Sequence, residues 1–248
     1  MIINRIGSYG GAVDLVALRA AVVALGPTLL LDADQISGND GDAIGTWADD
    51  SGNGRNFTQT DASYKPLLKK GANGINGHNV LKFDGSNDFI KSAVNASTMI
   101  SVSADTCFFV FRLIACTTNS ADPFEDDLLI CVEEYEGYHF RSDGTSFAYI
   151  YSGATKVATK SMSTATPYIA QTRHSSGTLY HSLNGGSEAS VAAGNITSLA
   201  DVFYLGGSVN SMIYTNIEIA EVILFNTALS ESDRATVMAY LNAKYATY

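Results

Sequence analysis

The sequence is poor in cysteine and proline. It has 3 cysteines and 4 prolines among 248 residues, and Trp47 is its only tryptophan. Cys107, Cys116 and Cys131 lie in apolar, strand-like stretches without the close pairing of a zinc site. An odd and sparse set does not form a disulfide framework, so we expect buried, reduced thiols. A single disulfide bridge is the alternative.

Basic residues and long apolar runs are also scarce. Lys and Arg number 15 against 25 Asp and Glu, the net charge is −10, and only Lys69 and Lys70 are adjacent. This balance excludes a nucleic-acid backbone as a partner. No run reaches the roughly 20 uninterrupted apolar residues that span a membrane, so we expect no membrane insertion. An apolar content of 46% is enough for a large core in one all-β domain.

The first 26 residues are predicted to form a separate arm. Apolar residues in 13–25 recur at helical spacing, and Gly26-Pro27 ends the helix. Asp14 and Arg19 interrupt the run, which makes it a poor signal peptide. Because the helix is apolar on both sides, it must be covered, either by its own domain or by a partner chain. We expect attachment or oligomerisation, for example as a trimer, through one face: Leu15, Leu18, Val22 and Leu25.

From residue 28 onward, short apolar runs alternate with Gly, Asn, Asp and Ser. This spacing predicts an antiparallel sandwich, and no helix interrupts the strands until the end. Asn184-Gly185 predicts a tight hairpin, because both residues tolerate positive φ, and Arg141 to Ser146 predicts a second one. The last strand runs through Phe225. A helix then begins at Ser230, which Asp233 follows as in a capping box.

The stretch "WADDSGNGRNFTQT", from Trp47 to Thr60, concentrates oxygen ligands in a short loop. A calcium site, a sugar site and a simple turn are all compatible with it. Calcium needs six to eight oxygens from several segments, so we favour a turn in which Asp50 accepts hydrogen bonds from the loop's own amides. Gly52 and Gly54 then supply positive φ, and Trp47 anchors the loop in the core. The weaker calcium alternative names three ligands: Asp49, Asp50 and Asn53.

Aromatic residues cluster between 135 and 151. Cross-strand aromatics on a sheet surface form a platform for sugar rings, with polar neighbours for the hydroxyls, although the phenylalanines there also suit an ordinary core. The candidate glycan-binding residues are Tyr135, Tyr138, His139, Arg141, Tyr149 and Tyr151.

Five segments occur in a characteristic order after residue 27. They are "LLLDADQ", "TWADDSGNGRNFTQ", "GINGHNVLKFDGSNDFI", "GTLYHSLNGG" and "IAEVILFNTALSESDRATVMAYLNAKY". Together they resemble the laminin-G-like group of the concanavalin A-like lectin/glucanase jelly rolls. The resemblance implies that residues 27–248 form a two-sheet antiparallel jelly-roll sandwich with a C-terminal helix, preceded by the helical arm of residues 1–26. It does not imply one function, because the architecture hosts sugar binders, adhesion modules, virion proteins and glycosidases.

Catalytic carboxylates are not evident. The glucanase pattern Glu-x-Asp-x-x-Glu is absent. Glu134 and Glu136 share a strand face, whereas Glu218 and Glu221 alternate to opposite faces unless a bulge intervenes. We therefore predict that the protein is not an enzyme. The alternative is a glycosidase whose catalytic pair is Glu134 and Glu136.

The layout of one module and an apolar arm favours a virion-surface decoration or adhesion protein with lectin-like glycan binding. Its expected partners are copies of itself, a capsid or tail protein and a surface glycan, and its expected location is the virion surface after assembly in the host cytoplasm. A secreted carbohydrate-binding module is the alternative. We expect no cofactor, with calcium left open.

Overall fold

The structure of this chain, a computed structural model, describes residues 14–115, 127–132, 136–141, 145–151, 155–196, 199–208 and 213–248. Between 127 and 157 it describes the pairing of the backbone strands. Cys116, Glu134 and Tyr135 lie outside the described residues.

The described chain forms two α-helices and a series of short strands. The helices are α1 (Leu15–Ala24) and α2 (Glu231–Tyr245). The strands are β1 (Leu29–Asp32), β2 (Thr46–Trp47), β3 (Phe57–Thr58), β4 (Leu67–Lys69), β5 (Val80–Asp84), β6 (Ile90–Asn95), β7 (Ala104–Ala115), β8 (Asp127–Val132), β9 (Glu136–Arg141), β10 (Thr145–Tyr151), β11 (Thr155–Ser161), β12 (Pro167–Ser175), β13 (Thr178–Leu183), β14 (Ala189–Ala192), β15 (Val202–Leu205), β16 (Gly207–Ser208), β17 (Ile213–Tyr214) and β18 (Asn216–Phe225).

These strands make two large antiparallel sheets. The first has the order β14-β13-β12-β7-β18-β5-β4, with β1 also paired to β18, and the second has the order β11-β10-β9-β8-β15-β6-β3-β2. β16 and β17 pair separately. The predicted all-β, two-sheet antiparallel sandwich with an N-terminal and a C-terminal helix is confirmed.

One core lies between the sheets and a second lies under the helices. Phe109 and Phe111 of β7 join the core between the sheets, where they meet Phe57 and Phe203 from the second sheet. Phe108, one residue away, faces the helices. Because successive strand residues point to opposite faces, a strand buried on both faces reads as an uninterrupted apolar run. The helices are therefore needed to cover the outer face of the first sheet.

The C-terminal helix begins where the sequence predicts. The Ser230 hydroxyl oxygen accepts from the Asp233 N–H at 3.2 Å and donates to the Asp233 carboxylate at 2.7 Å. Its inward face carries Val237, Tyr240 and Leu241, all essentially buried. The helix therefore lies on the sandwich, as expected.

The N-terminal helix packs on the same domain, against α2. Of the residues predicted for attachment, Val22 is fully buried in the core under the helices, and Leu18 and Leu25 pack against that core. Leu15 is 37% exposed, and Val16 on the other side is 80% exposed. One apolar side is thus covered by the chain itself, while the other faces outward. The attachment role stays a prediction.

Two smaller expectations concern a turn and a thiol. The hairpin between β13 and β14 turns at Asn184 and Gly185, with φ of 50° and 66°, as predicted. Cys107 is buried and free. Within the described residues, neither helix is long and apolar enough to cross a membrane.

Candidate functional site

The loop after Trp47 is held by its own hydrogen bonds, but its central acid differs from the one predicted. Asp49 Oδ1 accepts from the Leu30 and Ser51 N–H groups at 3.1 and 2.9 Å, and Oδ2 accepts from the Arg55 N–H at 2.9 Å. The sequence alone predicts Asp50 in this role. Asp50 instead turns its carboxylate toward Arg19 of α1, at 3.2 Å. The loop is a turn held by its own hydrogen bonds, as predicted, but the acid that accepts them is Asp49 and not Asp50.

The rest of the loop also serves the fold. Gly52 and Gly54 have φ of 88° and 71°, a region that strains residues with a Cβ. The Asn53 side-chain amide donates to the Pro27 and Thr28 carbonyls at 3.2 and 3.3 Å, which fixes the loop against the start of β1. Among the residues that the structure describes, no group of three or more His, Cys, Asp or Glu is arranged to hold a metal ion.

The two carboxylates of β18, Glu218 and Glu221, take part in contacts within the fold. Glu218 accepts from the Arg112 Nε at 2.7 Å. The pairing of β18 with β7 shifts between Ile219 and Glu221, so Ala220 is an extra residue there. This bulge turns Glu221 toward the helices, the same side as Glu218. Simple alternation, which would place the two acids on opposite faces, does not hold here because the bulge intervenes.

Glu221 is the centre of a buried polar cluster under α2. It is fully buried, and its Oε2 lies 3.0 Å from the Lys244 Nζ and 2.8 Å from the Tyr245 hydroxyl. Lys244 also reaches Asp32 at 2.8 Å. Burial raises the pKa of Glu221 to about 7, and Lys244 opposes that shift. Burial disfavours the charge of Lys244, but Glu221 and Asp32 outweigh burial and raise its pKa. The cluster is closed to solvent and joins β1, β18 and α2.

The predicted tyrosine site lies on neighbouring strands. β9 and β10 pair antiparallel, with Tyr138 opposite Ala148, His139 opposite Phe147 and Arg141 opposite Thr145. Tyr149 lies opposite Gly137. Tyr151, at the end of β10, lies opposite Thr155 of β11. The hairpin is therefore present, and the glycan role of these residues stays a prediction.

A surface groove that local sequence patterns do not predict lies between α2 and strands β12 and β13. We call it the α2 groove, and its volume is about 560 Å³. Strand residues form its floor, the Asn184-Gly185 turn forms one end, and α2 forms a wall. The lining residues are Gln171, Ser182, Gly185, Gly186, Glu188, Glu231, Arg234, Ala235, Met238, Ala239 and Tyr248.

The polar side chains of the α2 groove are held in place by one another. The Gln171 amide donates to Glu188 Oε1 at 3.0 Å, and the Arg173 Nη2 donates to Glu188 Oε2 at 2.9 Å. Arg173 also stacks on the Tyr180 ring, 3.7 Å from its centroid. Arg234 lies 4.0 Å from Glu188. These contacts fix a carboxylate, an amide and two guanidinium groups in one array.

The turn and the last residue complete the groove. At Gly185, where φ is +66°, a Cβ would lie 3.0 Å from the Tyr248 hydroxyl. Glycine therefore lets the Tyr248 ring lie close to the turn. Tyr248 remains 55% exposed. The sequence marked Asn184-Gly185 only as a turn. Its nearness to α2 is a long-range contact, which local patterns do not reveal.

No protein-family model matches this chain. No curated protein matches it. Solved structures share the fold. The binding domain of botulinum neurotoxin serotype D has a TM-score of 0.62 at 16% identity, over 90% of this chain and 52% of that one. The binding domain of Paraclostridial Mosquitocidal Protein 1 has a TM-score of 0.62 at 14% identity, over 88% and 52%.

A Trypanosoma rangeli sialidase in complex with sialic acid has a TM-score of 0.60 at 14% identity, over 89% of this chain and 33% of the sialidase. The chain thus spans about half of the toxin domains and a third of the sialidase. At these identities the likeness shows the fold alone, a β-sandwich that occurs in binding domains and in an enzyme.

Proposed function

We propose that this chain is a non-catalytic glycan-binding module of the laminin-G-like group, carried on the surface of a virion. The ordered sequence segments and the two-sheet sandwich support the group. The observation that carries the binding function is the α2 groove, with its array of Gln171, Glu188 and Arg234 on a rigid floor. Convergent polar groups in a concave site, beside an aromatic ring, suit a ligand rich in hydroxyl groups.

The charges of the α2 groove favour a neutral glycan. Glu188 is paired with Arg173 and approached by Arg234, so its negative charge is balanced within the protein. Glu231 is a second lining acid, and two bases lie nearby: Arg234, which lines the groove, and Arg173, which is paired with Glu188 beside it. Guanidinium N–H groups supply donors and carboxylate oxygens supply acceptors, as vicinal hydroxyls require.

A glycan array with and without calcium tests this function. We expect hits among neutral glycans, and we expect Glu188→Ala to weaken binding about tenfold because Gln171 and Arg173 lose their anchor. Tyr138→Ser with Tyr149→Ser serves as the comparison and should retain binding. An array without hits under both conditions contradicts the function. Loss in the tyrosine variant with retention in Glu188→Ala moves the site to the β9–β10 hairpin.

Attachment through the outward side of α1 accounts for the virion part of the proposal. Val16 is 80% exposed and Val23 39% exposed, although both are large apolar residues. An apolar side that its own domain leaves uncovered fits contact with another protein surface. We expect Val16→Asp with Val23→Asp to abolish incorporation into particles, while Val102→Asp, at a 44% exposed apolar residue outside both helices and the groove, leaves incorporation unchanged. Normal incorporation of the double variant favours the secreted module instead.

The proposal that the protein is non-catalytic rests on two carboxylates that are already ion-paired or buried. Glu218 is bound by Arg112, and Glu221 is closed off under α2. Hydrolysis of any polysaccharide that disappears in Glu134→Gln or Glu136→Gln would make the protein a glycosidase.

A further inference from the structure

The two ends of the α2 groove differ in chemistry. At one end, Glu231 and Arg234 of α2 line the groove, and the Arg234 Nε lies 4.0 Å from the Glu188 carboxylate. At the other end, the Tyr248 ring lies beside Gly185. We call these the polar end and the aromatic end. A ligand that used both would need polar groups on one part and an apolar face, which can stack on a ring, on another.

The floor of the groove sets the distance between the two ends. The polar end is level with Arg173 of β12, which donates to Glu188 at 2.9 Å. The aromatic end is level with Ile169 of the same strand, whose N–H donates to the Asn184 side chain at 2.8 Å. Ile169 and Arg173 are four positions apart in β12, which is about 13 Å in an extended strand. A single sugar ring cannot contact both ends, whereas two linked rings can.

The wall formed by α2 gives a similar distance. The Tyr248 N–H donates to the Asn242 side chain at 3.4 Å, and Asn242 lies eight positions after Arg234 in the helix. Eight residues of α-helix rise about 12 Å. The groove volume of about 560 Å³ is within the range of sites that enclose drug-sized ligands. Between its ends the helix presents short or recessed side chains, which leave the groove open: Ala235, Met238 and Ala239.

Each end of the groove carries a polar group that the fold leaves unused. Within the part of the chain that the structure describes, neither the Glu231 carboxylate nor the Tyr248 hydroxyl makes a hydrogen bond to another residue. Tyr248 is also 55% exposed, so its ring is accessible. A carboxylate accepts hydrogen bonds and a phenol both donates and accepts them, so both groups suit the hydroxyls of a sugar.

The backbone that carries the Tyr248 ring is held without a ligand. The Asn184 side-chain amide donates to the Thr247 carbonyl at 3.5 Å, and the Tyr248 N–H donates to Asn242. These two long hydrogen bonds tie the segment after α2 to the turn and to the helix. Because the ring is already placed, stacking on it costs little further ordering of the chain.

We propose that the α2 groove binds a neutral oligosaccharide through two adjacent rings. One ring exchanges hydrogen bonds with Glu231 and Arg234 at the polar end, and the carbon face of the next ring stacks on Tyr248 at the aromatic end. A monosaccharide would use one end only. The inference rests on the glycan-binding function proposed above, and it adds the size of the glycan and the residue that selects for that size.

Isothermal titration calorimetry with short sugars tests the number of rings. The full chain is titrated with cellobiose, maltose, lactose and N,N′-diacetylchitobiose, and with their single rings glucose, galactose and N-acetylglucosamine, at millimolar concentrations. We expect at least one disaccharide to bind about tenfold more tightly than either of its rings, because the second ring adds contacts at the other end of the groove.

Variants at Tyr248 assign the second ring to the aromatic end. Tyr248→Ala should remove the roughly tenfold advantage of the disaccharide and leave the affinity for its single rings within about twofold. Tyr248→Phe, which keeps the ring, should lose about threefold or less. Glu188→Ala should weaken monosaccharides and disaccharides alike, because it disturbs the polar end. Leu67→Ala, at a 36% exposed position on β4 at the far edge of the first sheet, is the matched control and should change neither affinity.

The outcomes separate this inference from the function on which it rests. If no disaccharide binds more tightly than its rings, or if Tyr248→Ala keeps the whole advantage, the two-ring site is overturned and the glycan-binding function stands on the array. If neither these sugars nor the array gives any binding, the function is overturned as well. Thermal unfolding of each variant checks the fold, and Tyr248→Phe remains informative if Tyr248→Ala disturbs it.

Discussion

The two faces of the first sheet bury acids in different ways. On the outer face, Glu221 lies against the Lys244 ammonium and two tyrosine hydroxyls of α2. On the inner face, Asp105 is in contact with a thiol and an imidazole: Cys107 Sγ lies 3.8 Å away, and His174 Nδ1 lies 4.0 Å away. Burial raises the pKa of each acid to about 7. The outer acid is part of an ion-paired network, whereas the inner one favours its neutral form.

The tautomer of His174 agrees with a neutral inner pair. Its Nε2 lies 2.6 Å from the Gly194 carbonyl oxygen, so the proton is on Nε2 and Nδ1 is an acceptor. Burial lowers the pKa of His174. No hydrogen bond reaches Nδ1 among the described residues. Asp105 Oδ2 lies 4.0 Å from this nitrogen, and the raised pKa of Asp105 favours the neutral acid, which needs no cation in this core.

The largest expected effect comes from removing the cation of the outer network. Lys244→Met leaves Glu221 buried without a positive partner among the described residues, and leaves Asp32 with only Arg19, 4.0 Å away. Breaking a buried pair in this way costs about 3–5 kcal/mol. Urea unfolding at pH 7 measures the loss. Lys70→Met, which removes an exposed ammonium, should change the free energy of unfolding by about 0.5 kcal/mol or less. Similar losses in both variants would mean that Lys244 does not balance the buried acids.

The protonation of Asp105, the inner acid, should make the stability of the fold depend on pH. The pKa of Asp105 is about 7 in the fold, above its ordinary value of 3.8, so the protonated form stabilises the folded state. That contribution is complete below the ordinary value and is lost as pH rises through about 7. Asp105→Asn should therefore gain about 2–3 kcal/mol relative to the parent between pH 5 and pH 8. A stability difference that does not change with pH would show that Asp105 is charged in the fold.

Single hydroxyl groups of the outer network provide a finer measure. Tyr245→Phe removes a 2.8 Å donor from the fully buried Glu221, with an expected loss of about 1–2 kcal/mol in thermal or urea unfolding. Tyr240→Phe removes a longer contact of 3.3 Å and should cost less. The reverse order would assign the main hydroxyl contact to Tyr240.

The smallest effect on stability is expected on the exposed side of α1, which faces away from the sheet. Val16 is 80% exposed, so Val16→Asp should change the free energy of unfolding of the isolated chain by about 0.5 kcal/mol or less. Val22→Asp, at a fully buried position of the same helix, is the contrasting variant and should cost several times more. Equal losses would mean that both sides of α1 are covered in the free chain.

Local patterns predicted the elements well. The Ser230 cap, the positive φ of Asn184 and Gly185 and the buried Trp47 each depend on residues close in sequence or on composition. Other features depend on distant contacts. The bulge at Ala220 follows from the pairing with β7, and the choice of Asp49 over Asp50 follows from the amide of Leu30 and the guanidinium of Arg19. The side of α1 that is covered follows from where α2 lies.

The sequence by itself determined an all-β sandwich with two terminal helices, because strand alternation, turn residues and helix caps act within a few residues. Only the tertiary structure decided which surfaces are concave and which charges meet. The α2 groove joins residues 171–188 to residues 231–248, and Arg19 of α1 meets Asp50 of the loop after Trp47. Such sites depend on long-range packing, whose free energy comes from burial between segments far apart in the chain.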